Sequence, residues 1–205
     1  MKEWIDIIFT REPLLQPRVV MLVDLDYFYA QAEERRNPSI KDKPVVVCVY
    51  SGRTEDSGAV STSNYIARQH GVRSGIPIAL AKKRLRDKED AVFLPMDRAY
   101  YEEVSERIMS ILRSQADSFE QVGIDEAYLD VSERTKGNFK EARWLAFEIK
   151  DMVRAQEGIT CSIGVAPNKL LAKIASDVQK PDGLTTVELD EVESFLSPLP
   201  VGRIM

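Results

Sequence analysis

The stretch "GIDEAYLD", residues 123–130, places two adjacent carboxylates, Asp125 and Glu126, inside an otherwise apolar run. Ionised carboxylates are costly to bury unless a partner compensates their charge. Adjacent side chains of an ideal strand point to opposite faces, so a regular strand would keep these two acids apart. A turn or bulge between Gly123 and Asp125 would remove that restriction, because glycine adopts unusual dihedral angles. We therefore predict that residues 117–132 form two strands joined by a tight turn near Gly123.

A third carboxylate, Asp24, lies near the end of the run "RVVMLVDLD", residues 18–26. This short apolar run indicates a central strand that is apolar on both faces. Because side chains alternate along a strand, Asp24 shares a face with Val20 and Leu22. On this segment alone, an acid that caps a helix or ends a strand is the favoured interpretation.

The acidic pair changes the interpretation of Asp24. If the strand at 18–26 and the predicted hairpin are neighbours, Asp24, Asp125 and Glu126 converge. Three carboxylates with no His or Cys nearby suit hard cations that prefer oxygen ligands, Mg²⁺ before Zn²⁺. Two such ions about 4 Å apart form the clamp used in phosphoryl and nucleotidyl transfer.

The composition is that of a folded chain. Its 205 residues are 44% hydrophobic with a net charge of -5, enough for one large domain or a domain with a subdomain. The net charge does not indicate a nucleic-acid partner, although local basic stretches matter more than the total. Cys48 and Cys161 lie in apolar runs typical of core thiols. His70 is the only histidine, which argues against a structural zinc site or a His-based triad.

The N-terminal stretch, residues 1–18, is not typical of a signal peptide, because its apolar part is short and contains Asp6. No apolar run in the sequence approaches the length of a membrane span. We therefore expect a soluble, cytoplasmic protein without a membrane partner.

Strand-like and helix-like segments mix along the chain, which indicates an α/β or α+β sheet protein. The stretch 51–63 is polar and loop-like, and Ser63 is the expected N-cap of the short helix that follows. Region 37–94 combines short elements with many basic residues, which suggests an inserted subdomain; a solvated charged surface is the alternative. The predicted strands are 18–26, 43–52, 91–96, two within 117–132, 159–166 and 183–188, and the predicted helices are 27–37, 64–70, 76–87, 97–116, 138–158, 168–180 and 189–199.

Candidate phosphate-binding residues follow the loop-like stretch. "STSNYIAR", residues 61–68, contains Thr62, Tyr65 and Arg68, and the last two lie on one face if a helix begins near residue 64. Lys180 precedes a Pro-Asp-Gly turn at a helix end, where a cation that stabilises the helix terminus is the alternative. Half-buried packing is the alternative for Tyr65. There is no Walker or kinase glycine loop, so a bound nucleotide would be held by metals and side chains.

Five longer motifs follow one another along the chain: "VDLDYFYAQAEE" (23–34), "VVVCVYSGRTEDSGAVSTSNYIAR" (45–68), "GVRSGIPI" (71–78), "GIDEAYLDVS" (123–132) and "SIGVAPNKLLAKIASDVQKPDGL" (162–184). Together they resemble the Y-family of lesion-bypass DNA polymerases, and most of all its archaeal DNA polymerase IV type. The resemblance covers nearly everything from residue 19 to residue 205. Several long motifs in one order are far more specific than a lone acidic pair.

The resemblance implies an α+β fold made of a palm and small fingers. The palm would comprise 1–36 and 95–187, with a ferredoxin-like central mixed or antiparallel sheet flanked by helices, and the fingers 37–94. Residues 188–205 would begin a thumb that is otherwise absent, so the chain resembles a catalytic-core fragment. Residues 1–18, with Trp4 and the apolar positions 5–9, form an extension that the family typically lacks; a packing segment and a tag-like tail are equally open.

The resemblance also implies template-directed transfer of a deoxynucleotide to a primer 3′-hydroxyl, as in translesion synthesis. Two Mg²⁺ ions, which Mn²⁺ can replace, would support the reaction. Tyr29 would be the steric gate that excludes a 2′-hydroxyl, whereas without the resemblance core packing is the favoured interpretation. The implied metal ligands are Asp24, Asp125, Glu126 and the Leu25 backbone carbonyl, and the implied triphosphate contacts are Thr62, Tyr65, Arg68 and Lys180.

Two positions depart from the family pattern. Leu25 stands where the family often has an aromatic residue, and Gly123 replaces a usual serine. The implied partners are primer–template DNA and a dNTP, with a sliding clamp bound through C-terminal regions beyond this chain. We expect a monomer with weak activity as a fragment. The alternatives are a nucleotide cyclase, which also uses paired carboxylates and Mg²⁺, and a non-catalytic fragment that binds a nucleotide or a partner.

Overall fold

The computed structural model describes residues 17–54, 56–200 and 202. The expected N-terminal extension therefore lies outside the described residues except for its last two positions. Trp4 and the apolar positions 5–9 belong to the part that is not described, and so do residues 201 and 203–205 at the end of the expected thumb segment.

The central strand, β1 (Val20–Leu25), organises the larger of the two sheets in the described part of the chain. Its side chains are buried on both faces, because Met21 and Val23 pack into one hydrophobic core and Val20 and Leu22 into another. Its strands are β1, β5 (Ser118–Gln121), β6 (Glu126–Asp130), β7 (Cys161–Ala166) and β8 (Leu184–Thr186). They lie in the order β5-β6-β1-β7-β8, and all neighbouring strands are antiparallel except β7 and β8, which are parallel.

A separate sheet has three strands, β2 (Val45–Tyr50), β3 (Gly58–Ser63) and β4 (Val92–Pro95). Their order is β3-β2-β4, with β3 antiparallel and β4 parallel to β2.

The loop prediction for 51–63 was wrong over β3, because its polar side chains concealed a strand whose backbone pairs with β2. The expected N-cap was also wrong. Asn64 caps the next helix by accepting from the Ala67 N–H, while the Ser63 hydroxyl donates to the Val72 carbonyl.

Helices cover both faces of the larger sheet. The described α helices are α1 (Phe28–Arg36), α2 (Tyr65–Gln69), α3 (Ile78–Arg84), α4 (Arg98–Ser114), α5 (Phe139–Glu157), α6 (Lys169–Val178) and α7 (Val192–Leu196). Buried residues of α4 and α5 complete the core on the Met21 face, and α6 packs on the Val20 face. None of the helices in the described part of the chain is long and apolar enough to cross a membrane. The prediction of an α+β fold with a mixed sheet is confirmed.

Helix α6 lies directly on β7 at Gly164. A Cβ atom at this position would lie 2.0 Å from the Ala172 carbonyl oxygen and 2.5 Å from the Ser176 nitrogen. Both atoms belong to the backbone of α6, which cannot move aside as a flexible side chain can. Gly164 therefore sets how closely α6, and every side chain that it carries, approaches the sheet.

We predict that Gly164→Ala lowers the free energy of unfolding by about 3 kcal/mol, the upper end for overpacking, because a helix backbone must shift. Guanidinium denaturation measures the change. Gly202→Ala is the control, since an added Cβ meets nothing within 4 Å there. Equal stability of the two variants would contradict the role of Gly164 in this close packing.

Candidate functional site

The acidic pair meets Asp24 across two neighbouring strands. β1 and β6 are antiparallel, and Asp24 lies directly opposite Glu126. Directly opposed side chains share a face, with Cβ atoms about 5 Å apart. Because Val20 and Leu22 on the same face of β1 pack against α6, the carboxylates of Asp24 and Glu126 lie on the α6 side of the sheet.

Asp125 escapes the strand alternation because it lies in the turn before β6. The N–H groups of Val122 and Gly123 both donate to the Glu126 carbonyl, at 3.1 and 3.2 Å. The Leu25 N–H donates to the Asp125 carbonyl at 2.8 Å, so the turn remains attached to β1. The predicted turn near Gly123 is confirmed, and it places Asp125 beside the other two acids.

Lysines from α6 and from the turn after it neutralise the acids. The Lys180 ammonium lies 2.7 Å from Asp24 and 2.8 Å from Asp177, and the Lys173 ammonium lies 2.7 Å from Glu126. In this arrangement, no three His, Cys, Asp or Glu side chains within 17–54, 56–200 and 202 are grouped so that they could hold a metal ion. The donor set of three carboxylates nevertheless has the chemistry that Mg²⁺ prefers.

Burial dominates the electrostatics of these groups. It raises the pKa of Asp24 to about 6; the Lys180 ammonium opposes this rise, and the nearby Asp125 adds to it. Burial also raises the pKa of Asp125, and the neighbouring charge of Glu126 adds to that effect. Burial alone would lower the pKa of Lys180, but its interactions with Asp24 and Asp177 outweigh burial and raise it. The site therefore favours a cation close to Asp24.

One cavity brings Tyr29 and Thr62 to Asp125. It has a volume of about 240 Å³, and its remaining walls are Phe28, Ser61 and Ser74. The Tyr29 ring stacks on the buried Tyr101 ring, with centroids 4.5 Å apart and planes 16° apart. Tyr29 is thus held from behind while it still lines an open space.

A second cavity, of about 450 Å³, brings Tyr65 and Arg68 to Lys180. The Arg68 guanidinium lies over the Tyr65 ring at 4.8 Å and donates to the Ser63 carbonyl at 2.9 Å. Its remaining walls are Gln69, Arg73 and Asp177. The predicted residues Tyr29, Thr62 and Asp125 line the first cavity, and Tyr65, Arg68 and Lys180 line the second. The other predicted residues lie on β1 and β6, and Asp24 connects to the second cavity through its ion pair with Lys180.

A third cavity, of about 660 Å³ and larger than the other two, runs along α4 and also reaches Tyr29 and Ile124. Apart from Tyr29 it contains none of the predicted acids or phosphate contacts. Its size therefore does not identify the site.

Sequence reasoning missed Lys173, which pairs with Glu126, and Asp26, which holds the turn after Lys180. Lys173 precedes Asp177 by four residues and Lys180 by seven, a helical spacing that would have placed all three on one face. Asp26, in the same "VDLD" segment as Asp24, carried no signal of its own beyond its position at a strand end.

Three comparisons with known proteins agree with one another. The model of the impB/mucB/samB family matches residues 23–177. DNA polymerase IV of Nitrosopumilus maritimus is 56% identical over 190 residues, which are 93% of this chain and 52% of that relative. The chain thus spans about half the length of this curated relative.

Solved structures give the same result. A Y-family DNA polymerase chimera, Dbh-Dpo4(243-245)-Dbh, has a TM-score of 0.86 and 49% identity, covering 90% of this chain and 53% of its own. The insertion ternary complex of Dbh DNA polymerase has a TM-score of 0.85 and 49% identity, with the same shares covered.

We predict that Lys180→Met raises the pKa of Asp24 above about 6 in the metal-free chain, because an opposing positive charge is removed while burial remains. Carbon-13 NMR titration of the aspartate carboxyl groups measures this change. Lys169→Met is the matched control, since Lys169 lies on α6 but pairs with Glu120. An Asp24 titration that stays in place or moves to lower pH in Lys180→Met contradicts the prediction.

Proposed function

This chain belongs to the impB/mucB/samB family, and from that premise we propose that it is the catalytic part of a template-directed DNA polymerase of the translesion type. The observation that carries the proposal is the placement of three carboxylates on two neighbouring strands and the adjoining turn, next to two cavities. Asp24 and Glu126 are opposed across β1 and β6, and Asp125 lies in the adjoining turn. One cavity provides Tyr29, and the other provides cations for phosphates.

Two Mg²⁺ ions, or Mn²⁺ in their place, would be held by the three carboxylates and the backbone carbonyl of Leu25. Burial favours this assignment, because Asp24 and Asp125 have raised pKa values and a nearby cation keeps such groups ionised. The lysines that now pair with Asp24 and Glu126 would turn toward the phosphates when metals bind. Bound there, such ions would supply activation of the primer hydroxyl and stabilisation of charge on the phosphate oxygens.

The chain's own residues would hold the incoming nucleotide. Tyr65, Arg68 and Lys180 line one cavity, where a phenol hydroxyl, a guanidinium and an ammonium suit the β- and γ-phosphates. Thr62 lines the neighbouring cavity with Tyr29, whose ring would lie beneath the sugar. The primer 3′-oxygen would then attack the α-phosphorus, and pyrophosphate would leave.

The two sheets support a division into palm and fingers. The five-stranded sheet would be the ferredoxin-like palm, 1–36 and 95–187, and the three-stranded sheet would belong to fingers at 37–94. Residues 188–205 would begin the thumb. Regions corresponding to the other half of the relatives would supply most of the grip on primer–template DNA and any contact with a sliding clamp, and the protein would act as a monomer.

Primer extension with Mg²⁺ at low salt tests this function. We predict that Asp125→Ala lowers the extension rate by more than about 100-fold, because even outer-shell partners of metal ligands contribute 10- to 100-fold. Asp130→Ala is the control at the opposite end of β6, where the carboxylate pairs with Arg18 and Ser132 far from the site. Both variants are measured in this chain and in a chimera with the C-terminal half of the Nitrosopumilus relative.

Failure of both wild-type forms to extend a primer would reject the proposed polymerase. Release of a cyclic nucleotide from ATP or GTP would favour a cyclase instead. Nucleotide binding without turnover in either form would favour a non-catalytic fragment.

Tyr29→Ala should increase the use of ribonucleotides relative to deoxynucleotides while largely preserving deoxynucleotide use, because the ring beneath the sugar is removed. Competition between rNTP and dNTP in primer extension measures this ratio. Tyr29→Phe is the matched control, since it retains the ring that stacks on Tyr101. Unchanged sugar discrimination in Tyr29→Ala would remove Tyr29 from the site.

A further inference from the structure

Asp26 has a buried carboxylate to which neither the metal assignment nor the nucleotide assignment gives a role. Its residue is 1% exposed, only two positions after Asp24. The carboxylate accepts hydrogen bonds from the Thr160 hydroxyl at 2.9 Å, the Ser162 hydroxyl at 2.7 Å and the Asp182 N–H at 2.8 Å. A buried carboxylate is costly unless such donors satisfy it.

These bonds connect the end of β1 to the turn that follows α6. Asp26 holds the backbone of Asp182 directly, and the Ser162 hydroxyl that donates to Asp26 accepts from the Gly183 N–H at 3.2 Å. Asp182 has a φ of +57°, a left-handed conformation that non-glycine residues rarely adopt. Asp26 therefore stabilises this unusual turn at the point where the turn passes the end of β1.

The side chain of Asp182 is held from the opposite side. The buried Lys150 ammonium lies 2.6 Å from one of its carboxylate oxygens, and Arg154 donates to the other at 2.5 Å. Lys150 also donates to the Gly183 carbonyl at 3.2 Å. Residues 182–183 are thus held through both backbone and side chain. Asp26 is the member of this network that directly follows β1, the strand that carries Asp24.

Lys180 lies only two residues before Asp182. It extends from this turn to pair with Asp24 at 2.7 Å, and it lines the 450 Å³ cavity with Tyr65 and Arg68. We propose that Asp26 is a positioning residue, whose hydrogen bond to the turn sets where the Lys180 ammonium meets the phosphates of the incoming nucleotide. The proposal rests on the proposed polymerase function.

A purely structural role for Asp26 makes a different prediction. Loss of stability would lower the folded fraction and would act independently of Lys180. Positioning acts through Lys180, so removing Lys180 should abolish the effect of Asp26 on nucleotide affinity. A double-mutant cycle separates these two cases, because residues that act through one another give non-additive effects.

The experiment measures the affinities for dATP and dAMP, from their displacement of a fluorescent dATP analogue bound to the 205-residue chain in the presence of Mg²⁺. We expect Asp26→Ala to weaken dATP binding about tenfold, the effect of one misplaced charge-assisted hydrogen bond, and dAMP binding much less. Asp26→Ala combined with Lys180→Ala should bind dATP as Lys180→Ala alone does. In primer extension the KM for dNTP should rise more than kcat falls.

Asp26→Asn should recover most of the affinity. Its amide oxygen can accept from the Asp182 N–H, and its NH₂ group can donate to the Ser162 hydroxyl oxygen. Asp117→Ala is the matched control, because Asp117 also accepts backbone N–H groups of a turn, those of Glu133 and Arg134, at the other end of the sheet. This control should lower stability without changing dATP affinity.

Additive losses in the cycle, or unchanged dATP affinity in folded Asp26→Ala, would overturn the proposal. If Asp26→Ala does not fold, Ser162→Ala takes its place in the same cycle, because it removes a donor to Asp26 and the acceptor for Gly183. If neither the wild-type chain nor the wild-type chimera binds dATP, the polymerase proposal fails by itself. Positioning is then judged by the acetylation rate of Lys180, which should rise severalfold in the variant; an unchanged rate rejects it.

Discussion

The half-buried carboxylate of Asp24 is the constraint on which the rest of this site depends. Its residue continues the α6-facing row of the central strand, opposite Glu126 and beside the turn that carries Asp125. Burial raises its pKa to about 6 even though the Lys180 ammonium opposes the rise, so positive charge beside Asp24 favours the ionised carboxylate. Lysines provide that charge in the metal-free chain, and divalent cations would provide it during the proposed reaction.

The position of those lysines follows from how α6 packs. Gly164 lets the helix backbone lie directly against β7, and Lys173 then faces Glu126. The chain leaves α6 in a turn that is bonded to Asp26 on one side and to α5 on the other, and this turn carries Lys180. A helix–sheet contact and a buried polar network thus set the charge balance at the acids.

The smaller sheet completes the site from the opposite direction. β3 carries Thr62, and α2, capped by Asn64, carries Tyr65 and Arg68. Tyr29 comes from α1, the helix that follows β1 of the larger sheet, and its ring stacks on the buried Tyr101 ring. The 240 Å³ cavity thus combines Thr62 of the smaller sheet with Asp125 beside the larger one, and the 450 Å³ cavity combines Tyr65 of α2 with Lys180 of the turn after α6. This arrangement supports the proposal that the nucleotide binds between the two parts of the chain.

The sequence by itself determined a protein of mixed helices and strands, α/β or α+β, with the buried central strand, most helices and the turn near Gly123, because hydrophobic periodicity and glycine are local signals. The resemblance of its motifs then favoured α+β and named Tyr29, Thr62 and Asp125 in one cavity and Tyr65, Arg68 and Lys180 in the other. Only the tertiary structure decided that 58–63 is a strand, that Asn64 rather than Ser63 caps α2, and that Lys173 and Asp26 join the site. The strand depends on backbone pairing with β2, and the partners of Lys173 and Asp26 lie more than 40 residues away in the chain, so no local pattern of side chains records them. The cap is a local bond, but Ser63 and Asn64 both suit it, and only the folded backbone decides which of them accepts from the Ala67 N–H.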